Sequence, residues 1–143
     1  MRVLVTGASG LLGRTTATAL LSRGDEVTVL QRRPAGLPCR EVLGDVADPE
    51  TVGRAVAGQD AVLHLAAKVD VVGPAAEYRR ANVEGTRTVL AASRRAGVRR
   101  LVHVSSPSVA HDMASGHQSR LASARSAAST VTSAQAPCSR SST

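Results

Sequence analysis

Aromatic residues are almost absent from this chain of 143 residues: there is no Phe, no Trp and a single Tyr, Tyr78. Proteins that hold single-stranded nucleic acid stack bases on aromatic rings, and that platform is missing here. Lysine is nearly missing too, with Lys68 alone beside 17 Arg in a net charge of +7. The positives are scattered, and Arg94, Arg95, Arg99 and Arg100 flank Gly97, where the negative end of a helix dipole favours cations. The charge therefore reads as solvated helix ends, and no nucleic-acid partner is expected. Two cysteines, Cys39 and Cys138, make neither a disulfide framework nor a metal-ligand spacing. No apolar run reaches the roughly 18 residues that a membrane helix needs, so no membrane span is expected. MRVLVTG passes straight into a strand and a glycine-rich turn without a cleavable apolar segment, and the expected address is the cytoplasm.

With so few aromatics, any core is built from Val, Leu and Ala, which suits the near-continuous aliphatic strands of a buried parallel sheet. Such strands alternate with helical patterns. Residues 2–6 (RVLVT), 26–30 (EVTVL), 40–43, 61–66 (AVLHLA) and 100–105 (RLVHVS) read as strands. Residues 11–23 carry apolar side chains at helical spacing and stop at Gly24. Asp48-Pro49-Glu50 opens a second helix with an Asp cap and Pro at the first helical position, ending at Gly58. Residues 75–96 hold one long helix or two, ending at Gly97. The alternation predicts an α/β fold of Rossmann type: a doubly wound parallel sheet, incomplete at about five strands.

From Asp112 the vocabulary changes. Nine of the residues 112–143 are Ser, against six in the first 111, and the large aliphatic side chains are reduced to Met113, Leu121 and Val131. Such a segment buries too little surface to offset its ordering entropy. Two parts are expected: a partial dinucleotide-binding domain, 1–111, and a disordered or non-native tail, 112–143. The expected cause of the seam is a frameshift or truncated gene, in which case translating another frame past codon 111 should restore an apolar strand and a Tyr-x-x-x-Lys.

The strongest local motif is TGASGLLG, residues 6–13, between a strand and a helix. Gly7 permits the tight turn, Gly10 lets backbone approach a pyrophosphate, and Gly13 allows the helix to pack against the strand. The helix start, with Ser9, Leu11 and Leu12, presents N–H groups and a positive dipole end to that phosphate. At the end of the second strand, where an acidic residue would hold the ribose of NAD, the chain has Gln31, Arg32 and Arg33. A guanidinium pair suits a 2′-phosphate, so NADP is favoured over NAD. His64 and His103 lie inside strand patterns and read as structural; no metal site is expected.

Five stretches in order carry a family resemblance: TGASGLLG (6–13), GDVAD (44–48), HLAA (64–67), ANVEGT (81–86) and VHVSSPSV (102–109). Over residues 1–111 the chain resembles the N-terminal part of extended short-chain dehydrogenases/reductases, the NAD(P)-dependent epimerase/dehydratase superfamily. HLAAKVDVVGP followed by YRRANVEGT is most similar to the 3β-hydroxysteroid dehydrogenase branch. The resemblance implies that Asp45 and Val46 contact the adenine and that Leu65, Ala66 and Ala67 line the cofactor. It further implies that Asn82 holds the site together, that Ser105 ends the fifth strand, and that Ser106 hydrogen-bonds the substrate oxygen during hydride transfer.

The acid/base of that superfamily is a Tyr in Tyr-x-x-x-Lys, the Lys lowering the phenol's pKa. Here no Tyr lies beyond Tyr78 and no Lys beyond Lys68. Ser106 alone cannot supply the roughly 10²- to 10⁴-fold that general acid–base catalysis contributes. The implied activity is that of an oxidoreductase, epimerase or dehydratase on a secondary alcohol or ketone, sterol-like or a sugar nucleotide, present as its cofactor-binding part. A catalytically inactive NADP-binding sensor is the alternative. An open sheet ending at its fifth strand also exposes apolar surface, so self-association through that edge is expected.

Overall fold

The computed structural model describes residues 1–69 and 72–105. Five strands form one parallel sheet: β1 (Arg2–Thr6), β2 (Glu26–Gln31), β3 (Arg40–Leu43), β4 (Ala61–His64) and β5 (Arg100–His103). Their order is β3-β2-β1-β4-β5, so β1 lies at the centre and the chain winds outward from it in both directions. Helix α1 (Leu11–Ser22) follows β1, and α2 (Pro49–Val56) joins β3 to β4. After β4 come α3 (Ala75–Tyr78), a π-helical segment (Arg79–Glu84) and α4 (Gly85–Arg95). This is the doubly wound parallel sheet that the alternating pattern predicts.

The aliphatic strands make two cores, one on each sheet face. Leu4, Leu30 and Val62 point toward α2 and α4, packing with Val52, Ala55, Val56, Val89 and Ala92. Val3, Val5, Val27, Val29 and Ala61 point the other way, packing with Ala8 and Ala17 around α1. The period-two alternation of strand side chains produces this division. Asp48 caps α2 as its sequence implies, its carboxylate accepting from the Glu50 and Thr51 amides at 3.2 Å each.

Several boundaries differ from the sequence pattern, and among them β5 ends at His103, two residues short of the expected 100–105, because β4, the strand it pairs with, ends at His64 opposite His103. β2 runs one residue further, through Gln31, because β3 pairs with it there: Gln31 faces Leu43 in register. β4 stops at His64, two residues early. The Leu65 and Ala66 amides turn aside to donate to Thr6 Oγ1, each at 3.1 Å, so a side chain replaces the ladder. The long helical pattern of 75–96 is real but widens into the π-helical turn where it passes the sheet end. Residues 106–143, and with them Ser106 and the anticipated tail, lie outside the described residues.

Candidate functional site: a dinucleotide cradle at the sheet's C-terminal end

In an open parallel sheet the ligand crevice forms at the C-terminal ends of strands whose connections lead in opposite directions. Here those strands are β1, which feeds α1 and β2, and β4, on its other side. The glycine-rich turn sits at this point. Gly7 has φ +77, and its amide donates to the Leu30 carbonyl at 3.1 Å, anchoring the turn to β2. A Cβ on Gly7 would come within 2.8 Å of Ala66 Cα, and one on Gly13 would overlap the Gly7 carbonyl. Both positions are closed to any larger residue. Gly10 differs: a Cβ there meets only the Gly7 carbonyl, at 3.5 Å, so its exposed side is open to a ligand.

Gly10 is also the cap residue of α1 and offers no side-chain hydrogen bond, and no acid lies in the first turn. The first-turn amides of Leu11, Leu12 and Gly13 therefore have no intrahelical acceptor and face outward with the positive dipole end. Ser9 is exposed at the tip of the turn. Leu11 and Leu12 are 88% and 55% exposed, an unusual state for leucines and one that leaves an apolar rim beside the open amides. These residues fit a pyrophosphate: the cradle has donors, room and no competing carboxylate.

The opposite wall is built by β4 and the segment after it. Leu65 and Ala66 are half-buried and Ala67 is exposed. Asn82, from the π-helical segment, holds this wall from outside: its Oδ1 accepts from the Lys68 amide at 2.8 Å and its Nδ2 donates to the Lys68 carbonyl at 2.9 Å. His64 ties the wall to α4. Its Nδ1 lies 2.8 Å from Thr6 Oγ1 and its Nε2 lies 3.0 Å from Thr86 Oγ1. Since Thr6 Oγ1 already accepts two amides, its hydroxyl proton goes to His64 Nδ1. The imidazole is thus neutral with its proton on Nε2, which donates to Thr86. Burial, and secondarily the stacked His103 ring at 5.1 Å, push its pKa down to about 4.

After β3, the structure separates two neighbours that the sequence groups together, Asp45 and Val46. Asp45 takes an ion pair from Arg80 at 3.1 Å and accepts the Ala47 amide at 2.9 Å. Val46 is buried in the core beside Gly85, whose absent side chain gives it room. Arg32 and Arg33 are exposed and have no hydrogen bond or ion pair among the described residues. Their loop is pinned at both ends of Ala35: Arg14 donates to its carbonyl, and its amide donates to Glu41 Oε1 at 3.1 Å. Sequence reasoning does not single out Arg14, Glu41 or Thr6. Their roles come from side chain-to-backbone bonds between residues 6 to 60 positions apart, which leave no periodic signal. Ser105 follows the fifth strand and is exposed; Ser106 lies outside the described residues. Among the described residues no cluster of His, Cys, Asp and Glu could hold a metal ion, and no helix is long and apolar enough to cross a membrane.

The strand order, the glycine turn and the uncapped helix define a dinucleotide-binding α/β domain of Rossmann type. The profile of the NAD dependent epimerase/dehydratase family matches residues 3–135, and the chain belongs to that family. It is 44% identical over 119 residues to a 3-beta-hydroxysteroid dehydrogenase of Mycolicibacterium neoaurum, covering 76% of this chain and 32% of that one. A 2-alkyl-3-oxoalkanoate reductase of Stenotrophomonas maltophilia is 43% identical over 115 residues, covering 78% and 35%. Among solved structures, a short-chain dehydrogenase/reductase superfamily protein from Agrobacterium tumefaciens with bound NAD aligns with TM-score 0.70 and 41% identity, covering 74% of this chain and 33% of that one. MoeE5 in complex with UDP-glucose and NAD aligns with TM-score 0.71 and 36% identity, covering 80% and 39%. The chain spans about a third of the length of the curated relatives it matches.

Proposed function

We propose that this chain holds a nicotinamide dinucleotide across the C-terminal end of its sheet, NADP in preference to NAD. The protein it represents then acts as an oxidoreductase, epimerase or dehydratase on a secondary alcohol or ketone. The observation that carries the reading is the open, uncapped helix start at Gly10 together with the end of β2, after which Arg32 and Arg33 are exposed and unpaired among the described residues. The amides of Leu11, Leu12 and Gly13 hold the pyrophosphate, and Ser9 caps it from the turn. Asp45 and the Val46 backbone border the adenine, and Arg32 and Arg33 bind a 2′-phosphate. Leu65, Ala66 and Ala67 give a close, apolar wall, kept in place by Asn82. The nicotinamide supplies hydride exchange, and Ser106, with Ser105 before it, matches the position that hydrogen-bonds the substrate oxygen.

The relatives' names point to several substrate classes, sterol-like molecules, 2-alkyl-3-oxoalkanoates and sugar nucleotides among them, and the motif order HLAAKVDVVGP–YRRANVEGT favours the first. Calorimetric titration with NADPH and NADH tests the binding proposal. NADPH is expected to bind about tenfold or more tightly than NADH, as one or two charge-assisted hydrogen bonds imply. Replacing both arginines, Arg32→Ala with Arg33→Ala, should erase that ratio. Equal affinities in the unaltered chain, or tighter NADH, would overturn the preference. Reduction of a ketosteroid by NADPH would separate turnover from binding alone.

A further inference from the structure

In the loop that joins β2 to β3, Ala35 alone is buried, at 5% exposed between exposed Pro34 and Gly36. It belongs to the core on the α1 face of the sheet, with Val5, Ala8 and Ala17. Both of its backbone groups are taken by charged side chains from separate elements. Arg14, one residue past Gly13 on α1, donates to its carbonyl, and Glu41, on β3, accepts its amide at 3.1 Å. Glu41 pairs with Val29 in register, which puts its side chain on that same face. Neither charged side chain has a second polar partner among the described residues. A guanidinium and a carboxylate are thus committed to the peptide groups of one alanine. The backbone on either side is restricted as well: Pro34 confines Arg33 to extended backbone, and Gly36 turns the chain at φ +63.

We propose that Arg14 and Glu41 are positioning residues that set the preference between the two dinucleotides, acting through Ala35 on Arg32 and Arg33. The role rests on the reading above, in which those two arginines bind the 2′-phosphate. Long side chains lose rotamer freedom when they grip an anion, and a loop that carries them loses its own. Anchoring Ala35 removes the loop's share of that cost before any ligand arrives. Arg14 rides on the helix whose start faces the pyrophosphate, so the anchor also ties the arginine loop to that helix. NADH has no 2′-phosphate to gain from this, so the anchor acts on the ratio of affinities. Charge and position have opposite signs at Glu41. As a charge, its carboxylate opposes a phosphate near the arginine pair, and removing it tightens NADPH. As an anchor, its loss frees the Ala35 amide and slackens the pair, and NADPH weakens.

The test is calorimetric titration of the full chain with NADPH and with NADH, beside hydrogen exchange at the Ala35 amide in the same variants. Glu41→Ala should lower the NADPH-to-NADH affinity ratio about fivefold, as slackening two long side chains implies, with NADH affinity held. Arg14→Met should lower the ratio in the same direction. Glu41→Gln keeps an oxygen that accepts the amide and removes the charge, so it should restore at least the ratio of the unaltered chain. The Ala35 amide should exchange slowly in the unaltered chain and faster in Glu41→Ala. A ratio that holds or rises in Glu41→Ala overturns the positioning role and leaves the dinucleotide reading standing. So does an equal loss for both cofactors, which marks a general loosening of the fold. Equal exchange at Ala35 with and without the carboxylate overturns the anchor itself. An unaltered chain without NADPH preference overturns the reading of Arg32 and Arg33, and the positioning role with it.

Discussion

Acidification should loosen this fold through one imidazole. His64 is buried and its neutral form is locked between the hydroxyls of Thr6 and Thr86, with a pKa lowered from 6.5 to about 4. Between those values the unfolded chain binds the proton and the folded chain does not. Stability is therefore fully present above pH 6.5 and is lost as pH falls toward 4. Taking the two pKa values as they stand, linkage between pH 7 and pH 4.5 removes about 2.4 kcal/mol, with a steepest slope of about 1.2 kcal/mol per pH unit. The carboxylates titrate elsewhere. Asp60, held at about 2 by the Arg2 amide and guanidinium, and Asp25 and Asp48, also lowered, give up their contribution only below about pH 4. Urea unfolding followed by far-ultraviolet circular dichroism at half-unit intervals from pH 7.5 to 4.5 measures the slope. His64→Gln, which cannot titrate, should be less stable at pH 7 but nearly flat across the window. If the unaltered chain and the variant share one slope, the locked neutral imidazole is wrong.

Other outcomes follow from single contacts. Gly13→Ala places a methyl on the Gly7 carbonyl, so it should cost about 1–3 kcal/mol in unfolding experiments and weaken NADPH binding severely in the fraction that folds. Asp48→Ala removes the cap of α2 and should cost about 1 kcal/mol by urea titration, with dinucleotide affinity unchanged. Asn82→Ala frees the Lys68 backbone; dinucleotide binding should weaken several-fold while the melting temperature moves little, since Asn82 is exposed. At the sheet edge, Val102 on β5 is 43% exposed on the face away from α4. If that edge pairs with a second copy, size-exclusion chromatography should show association rising with concentration, and Val102→Lys should suppress it.

The strands and helices were legible because their punctuation is local. Gly24, Gly58 and Gly97 all adopt left-handed φ at helix ends, at +84, +74 and +69, and the Asp-Pro-Glu start of α2 carries its own cap. The glycine turn was legible for the same reason: its shape is a property of the backbone at Gly7, Gly10 and Gly13. What was not legible depends on partners distant in sequence. The early end of β4 is decided by Thr6, and the stiffness of the Arg32–Arg33 loop by Arg14 and Glu41. Gln31 is a middle case. The missing acid was visible in the sequence, but the burial of its replacement follows only from the extra residue of β2 pairing with β3. The widened helical turn at residues 79–84 has no signal in the spacing of its apolar residues.

The hydroxyl of Thr6 has one more consequence. By taking the amides of Leu65 and Ala66 it closes their hydrogen bonds inside the molecule although neither residue belongs to a strand. Their amide protons should therefore exchange with solvent deuterium at the pace of β1, and not at that of a surface loop. The close approach of the turn after β4 to the end of β1 then persists for as long as the sheet itself. A valine at position 6 would suit the strand equally well and would abolish that protection at both amides together.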